Sequence, residues 1–112
     1  MKRYGSVIGV KPERLDEYIK LHADVWPAVE AKMYDCHIRN LSIFLRHLPD
    51  GLPYLFMYFE YVGDDLEADM ARNAEDETTQ KWWSLCKPCQ QPLDDRAEGE
   101  WWASMQEVVH HC

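Results

Sequence analysis

The sequence has no surplus of basic residues, no long apolar run, and none of the short signatures of nucleotide, zinc-protease or serine-hydrolase chemistry. Lys and Arg number 12 against 20 Asp and Glu, a formal net charge of -8. Nothing is left over to neutralise phosphates, which excludes a nucleic-acid backbone as the partner. No stretch approaches the roughly 18 apolar residues that span a bilayer, and "MKRYGSVIGVKPERLDEY" turns polar before a secretory core could form, so the expectation is a cytoplasmic protein with no membrane partner. There is no Gly-rich phosphate loop, no HExxH and no nucleophile elbow, which leaves nucleotide-cofactor chemistry without a foothold.

Cysteine is sparse: Cys36, Cys86, Cys89 and Cys112 are all there are. The pair in "LCKPC" is half of a zinc site or a redox CxxC, but a structural zinc needs a second pair of soft ligands that the sequence does not offer. Ordinary reduced thiols are therefore expected, with neither metal nor organic cofactor. His110, His111 and Cys112 read as a frayed tail.

What is present fits one domain over residues 1–112, long enough for a modest core and one small pocket. Arg3 to Val10 sets Tyr4, Ser6, Ile8 and Val10 against Gly5, Val7 and Gly9, a strand with one bulky and one thin face on which a neighbour can pack closely. Pro12 suits a helix start, and Leu15, Tyr18, Ile19, His22 and Val25 recur at helical steps until Pro27 forces an end or restart near Asp24 to Trp26. Ala28 to Tyr34 carries further helix. "IRNLSIFLR" from Ile38 and "YLFMYFEYV" from Tyr54, joined by the turn "HLPDGLP", read as a hairpin covered on both faces, by helices and by another subunit. A helix from Asp64 or Asp65 to Pro88, broken around Asn73, follows. "QQPLDDRAEGE" is a loop, and "WWASMQEVVH" a final short strand.

The order strand, helix, strand, strand, helix, strand is the α+β ferredoxin-like βαββαβ pattern, with an antiparallel sheet and one bare face. Hiding that face calls for a homodimer.

Nine side chains hold the chemical interest. His22 is the only histidine inside a periodic helix, and imidazole exchanges protons near its ordinary pKa of about 6.5. Tyr18 presents a hydroxyl one turn earlier on the same side. The same spacing equally describes a tyrosine and a histidine that border the core and satisfy each other. Trp82 and Trp83 point about 100° apart on a helix, so one can pack inward while the other borders a cleft, where an indole face suits the C–H patches of a sugar ring; core or dimer packing is the competing reading. Trp101 and Trp102 read as strand packing or interface. Glu60 and Glu107 lie within apolar strands, where they can face water, pair with a base or orient a partner. Leu41 acquires interest only by comparison.

"KPERLDEYIKLHADVWPAVE", "NLSIFL", "KWWSLC" and "MQEVV" together resemble the L-rhamnose mutarotase family over nearly the whole chain, with the blocks in the same order. The resemblance implies a ferredoxin-like protomer in a dimeric α/β barrel without metal or organic cofactor, acting on a monosaccharide. It places the catalytic histidine on His22, a sugar-binding tyrosine on Tyr18 and the tandem tryptophans on Trp82 and Trp83. A further substrate-contacting tyrosine falls on Leu41, so one hydroxyl is lost. L-Rhamnose is the expected substrate, with L-fucose or another aldohexose as alternatives for the altered pocket. Mutarotation needs a proton delivered to the ring oxygen and one removed from the anomeric hydroxyl; His22 is expected to act as the acid, with Tyr18 or a bound water completing the transfer. A cofactor-independent monooxygenase of the same fold and a non-catalytic sugar-binding module are the rival readings.

Overall fold

The computed structural model describes residues 1–112. The chain runs β1 (Lys2–Val10), a 3-10 turn (Pro12–Arg14), α1 (Leu15–His22), α2 (Pro27–Asp35), β2 (Ile38–His47), β3 (Pro53–Tyr61), α3 (Leu66–Glu75), α4 (Glu77–Cys86), a second 3-10 turn (Lys87–Cys89), β4 (Gln90–Gln91) and β5 (Ala103–Met105). It is a mixed α/β fold. The strands make one antiparallel sheet in the order β2-β3-β1-β4, with β5 also on β1.

Proline and carboxylates punctuate the helices where backbone chemistry requires it. Pro12 opens the 3-10 turn that feeds α1, and Pro27 occupies the first turn of α2, where its missing N–H costs nothing. Asp65 caps α3 by accepting from the Ala68 N–H, and Asp76 caps α4 by accepting from the Thr79 N–H and hydroxyl. Asp76, rather than Asn73, therefore sets the break between α3 and α4; Asn73 stays inside α3.

One sheet face carries the core. Ile8, Val10 and Leu55 pack under Tyr18, Val29, Trp82, Cys86 and Cys89 from the helical layer. Along β3 the parity of Leu55, Met57, Phe59 and Tyr61 matches Ile8, Ser6, Tyr4 and Lys2 across β1. On β2 the register slips between Arg39 and Ser42. Asn40 takes φ 51° there, a left-handed conformation that Asn tolerates better than most residues, and its amide donates to Glu60 Oε1 at 2.7 Å. Residues 38 and 41 have opposite parity, yet the bulge turns both Ile38 and Leu41 toward the helices, where they line a common cavity.

The last strand departs from expectation. Only Ala103–Met105 pairs within "WWASMQEVVH", while Gln90–Gln91, read from the sequence as loop, pairs with Gly9 and Val10. Gly9 explains the second contact: a Cβ there would lie 2.8 Å from the Gln91 carbonyl oxygen. The Lys11 N–H extends the seam by donating to the Cys89 carbonyl at 2.8 Å. Two short pieces thus share the β1 edge, and residues 92–102 loop out between them.

At the other end of the sheet a charged knot fastens α3. The Asp69 carboxylate accepts from the Tyr61 hydroxyl, from His37 Nδ1 at 3.0 Å and from the Arg72 guanidinium at 2.8 Å; Arg72 also reaches Asp35. Asp69 is held well below the usual carboxylate range, first by the Tyr61 hydroxyl and then by Arg72. No helix is long and apolar enough to cross a membrane.

Candidate active site

Between the helical layer and the sheet lies a cavity of about 320 Å³, at the small end of the roughly 300–1,000 Å³ range of small-ligand sites. The five residues that the family resemblance places at the site all line it: Tyr18 and His22 from α1, Leu41 from the β2 bulge, Trp82 and Trp83 from α4. The wall is mostly apolar, with Val25, Val29, Met33, Ile43, Met57 and Phe59 contributing. Lys87 is its one fully charged group, its ammonium 5.3 Å from the Trp83 ring and 5.4 Å from Trp101.

The helical spacing of Tyr18 and His22 brings their rings into a stack with centroids 4.1 Å apart. Trp82 meets His22 edge-on at 5.3 Å, and Trp26 backs Trp82 at 5.2 Å. His22 Nδ1 lies 3.1 Å from the Tyr18 carbonyl oxygen. A carbonyl can only accept, so Nδ1 carries the proton and Nε2 is the nitrogen left to work. Burial lowers the His22 pKa, against a smaller opposing pull from that backbone bond. At neutral pH the imidazole is uncharged and Nε2 is a base.

Tyr18 is oriented by a chain that the sequence did not disclose. The Trp101 indole N–H donates to Gln90 Oε1 at 2.7 Å, and Gln90 Nε2 donates to the Tyr18 hydroxyl over a long 3.5 Å. An indole only donates, so the Gln90 carbonyl must face it and the amide N–H must face Tyr18. The phenol accepts from Gln90, which frees its own hydrogen for something else. Burial, the largest cause, raises the Tyr18 pKa, so the phenol holds its proton.

Trp101 and Trp102, read from the sequence as strand packing or interface, line the cavity. Glu60 and Glu107 do not: Glu60 accepts from Asn40 and Tyr58, and Glu107 pairs with Arg3 at 3.0 Å. Cys86 and Cys89 sit in the core as free thiols; burial, aided by Cys89, pushes Cys86 up to about 12, and the Cys89 thiol donates to Glu17 at 3.2 Å. A thiol held protonated is a poor nucleophile or metal ligand. The signal that could have found Gln90 and Trp101 is only the clustering of polar and indole groups around a loop, which has no periodicity to read.

A family model for L-rhamnose mutarotase matches residues 3–111. An L-rhamnose mutarotase of Oceanobacillus iheyensis is 34% identical over 95 residues, covering 85% of this chain and 86% of that one. One from Lactiplantibacillus plantarum is 32% identical over 110 residues, covering 98% of each. Among solved structures, an L-rhamnose mutarotase from Formosa agariphila superposes with a TM-score of 0.73 at 20% identity, covering 99% of both chains. A type-II polyketide cyclase from Streptomyces glaucescens superposes with a TM-score of 0.69 at 11% identity, covering 100% of this chain and 98% of that one, a likeness of fold alone. A match across almost the whole length, joined to curated relatives above 30% identity, settles the kinship: the chain belongs to the L-rhamnose mutarotase family.

Proposed function

We propose that this protein is an aldose mutarotase that interconverts the α and β anomers of a 6-deoxyhexose, L-rhamnose in the first instance, by ring opening and reclosure. The observation that carries the reading is the oriented Tyr18–His22 pair on the wall of an aromatic cavity: one group has a free lone pair and the other a free hydroxyl hydrogen. An apolar wall rich in indole accepts the C–H patches and methyl group of a deoxysugar.

The chemistry balances with these two groups alone. His22 Nε2 takes the proton of the anomeric hydroxyl, and the electron pair so released forms the carbonyl as the bond from the anomeric carbon to the ring oxygen breaks. The ring oxygen takes a proton from the Tyr18 hydroxyl or from a water that it holds. The opened chain turns its carbonyl about the adjacent bond between the flat walls of Trp82 and Trp83. Closure on the opposite face runs the transfers backwards: the hydroxyl returns its proton to Tyr18, and His22, now the acid, protonates the new anomeric oxygen. His22 is a base on opening and an acid on closing, with the neutral form first because burial favours it.

The unit of function in this reading is a homodimer of ferredoxin-like protomers whose bare sheet faces close a barrel, working on monosaccharides in the cytoplasm. The strand order β2-β3-β1-β4 and the apolar row on the helix-free face support it. Leu41 leaves the sugar's configuration open to L-fucose. Saturation-transfer NMR on L-rhamnose, L-fucose and several aldohexoses tests the assignment. Faster anomer exchange for a 6-deoxyhexose than for the rest is expected, and acceleration of none would overturn it. Leu41→Tyr should change the ranking of the sugars.

A further inference from the structure

Two side-chain groups in this protein are sealed from solvent without a hydrogen-bond partner: Ser6 Oγ and Asn73 Oδ1. Only Asn73 lines the cavity. It is 8% exposed and stands on α3, one turn beyond Met70, which shares the wall. Its neighbour on the lining, Thr79, has already given its hydroxyl hydrogen to Asp76 at 2.9 Å. The proton-moving pair comes from α1 and its supporting Gln90 from β4, so the Asn73 amide is a separate polar point on an otherwise apolar stretch. An unpaired buried amide is costly, and an aliphatic residue would serve packing better. An amide presents an acceptor on one edge and a donor on the other, and half a turn about its last bond exchanges them. A hydroxyl, which both donates and accepts, can meet either edge.

We infer that Asn73 reads the substrate: its amide hydrogen-bonds a ring hydroxyl away from the anomeric carbon, supplying from α3 a polar contact that Leu41 cannot supply from β2. This rests on the mutarotase reading and deepens it. Tyr18 and His22 serve the anomeric and ring oxygens, so the hydroxyl met by Asn73 is one of those on the remaining ring carbons. The bond exists in the bound ground state as well as during ring opening, and its loss falls on KM more than on kcat.

The test compares wild-type protein with Asn73→Leu, which keeps the number and branching of side-chain heavy atoms but lacks the amide, on L-rhamnose and its deoxy analogues at the second, third and fourth ring carbons. Wild type should lose about 5- to 100-fold in kcat/KM on one analogue. Asn73→Leu should lose a similar factor on L-rhamnose, mainly through KM, and nothing further on that same analogue. It should also melt no lower than wild type, because the sealed orphan is gone; Ser6→Ala, off the cavity, should match it in stability and leave the kinetics unchanged. Full efficiency of Asn73→Leu on L-rhamnose, or losses that simply add, would overturn the assignment, as would a markedly lower melting temperature, which would mean that the amide has a structural partner. If Asn73→Leu does not fold, Asn73→Ala carries the same comparison of analogues. A wild-type protein that accelerates none of these sugars would sink the mutarotase reading itself, a result distinct from an intact enzyme indifferent to Asn73.

Discussion

At His22 the Tyr18 carbonyl holds the Nδ1 proton, so every exchange with a ligand passes through Nε2. Because burial lowers the folded-state pKa below the ordinary value of about 6.5, the base is present above that lowered pKa and is lost as pH falls through it. The kcat/KM profile should therefore have an acidic limb below 6.5 that is absent in His22→Ala; a profile that instead falls as pH rises through this range would make the protonated form the first actor. His22→Ala should fold and lose about 10²- to 10⁴-fold of the catalysed rate. Trp101→Phe keeps an aromatic ring but removes the N–H that holds the Gln90 amide, which is then free to turn. It should cost about fivefold in kcat, the worth of one net hydrogen bond of about 1 kcal/mol, and an unchanged kcat would remove the chain from Tyr18's orientation. Tyr18 and His22 were legible as neighbours on one helix face because a four-residue step fixes it, and Trp82 and Trp83, about 100° apart, were legible through the family resemblance. Trp101 was not, since it follows a loop, and Asn73 was read as a helix break because a polar residue at a cavity wall looks, in sequence, like one at a terminus.

The elements hold the site through two local devices. The β2 bulge places Leu41, and it depends on Asn40 at φ 51°. Asn40→Ala should destabilise by about 1 kcal/mol, the cost of the left-handed conformation for a residue with a Cβ and no local polar compensation, read as a lower midpoint in urea at unchanged slope. The β1 seam places Gln90, and Gly9→Ala should dislodge it by driving a Cβ into the Gln91 carbonyl, lowering both stability and activity. At the far end, the folded-state pKa of Asp69 lies below its ordinary 3.8. The stability it lends is complete above that value and drains away as pH falls through the folded one. Asp69→Asn should lower the melting temperature at neutral pH and flatten its fall in acid; an acid limb as steep as that of wild type would show that other carboxylates carry it. Strand alternation and capping residues made most elements readable. The divided last strand was not, because two-residue pairing leaves no period and is decided by Gly9 on a distant strand.

Across the whole molecule, the sheet face turned away from the helices carries a row of apolar groups through successive strands, Phe44 opposite Phe56, Phe56 opposite Val7, and Val7 opposite Ala103. Phe44 is 65% exposed and Met105 42%, so this face leaves apolar side chains in water. Under the proposed dimer, Phe44→Glu should halve the mass measured by light scattering, whereas an unchanged mass would place the contact elsewhere. The order strand, helix, strand, strand, helix, strand made a sheet with one bare face legible in the sequence, whereas the periodicity of one chain says nothing of what covers that face. The most direct measurement of the central claim is polarimetry of freshly dissolved α-L-rhamnose with wild-type protein and with His22→Ala. Rapid approach to the equilibrium rotation with wild type alone is the predicted result, and equal rates with both folded proteins, or no acceleration with either, would contradict it.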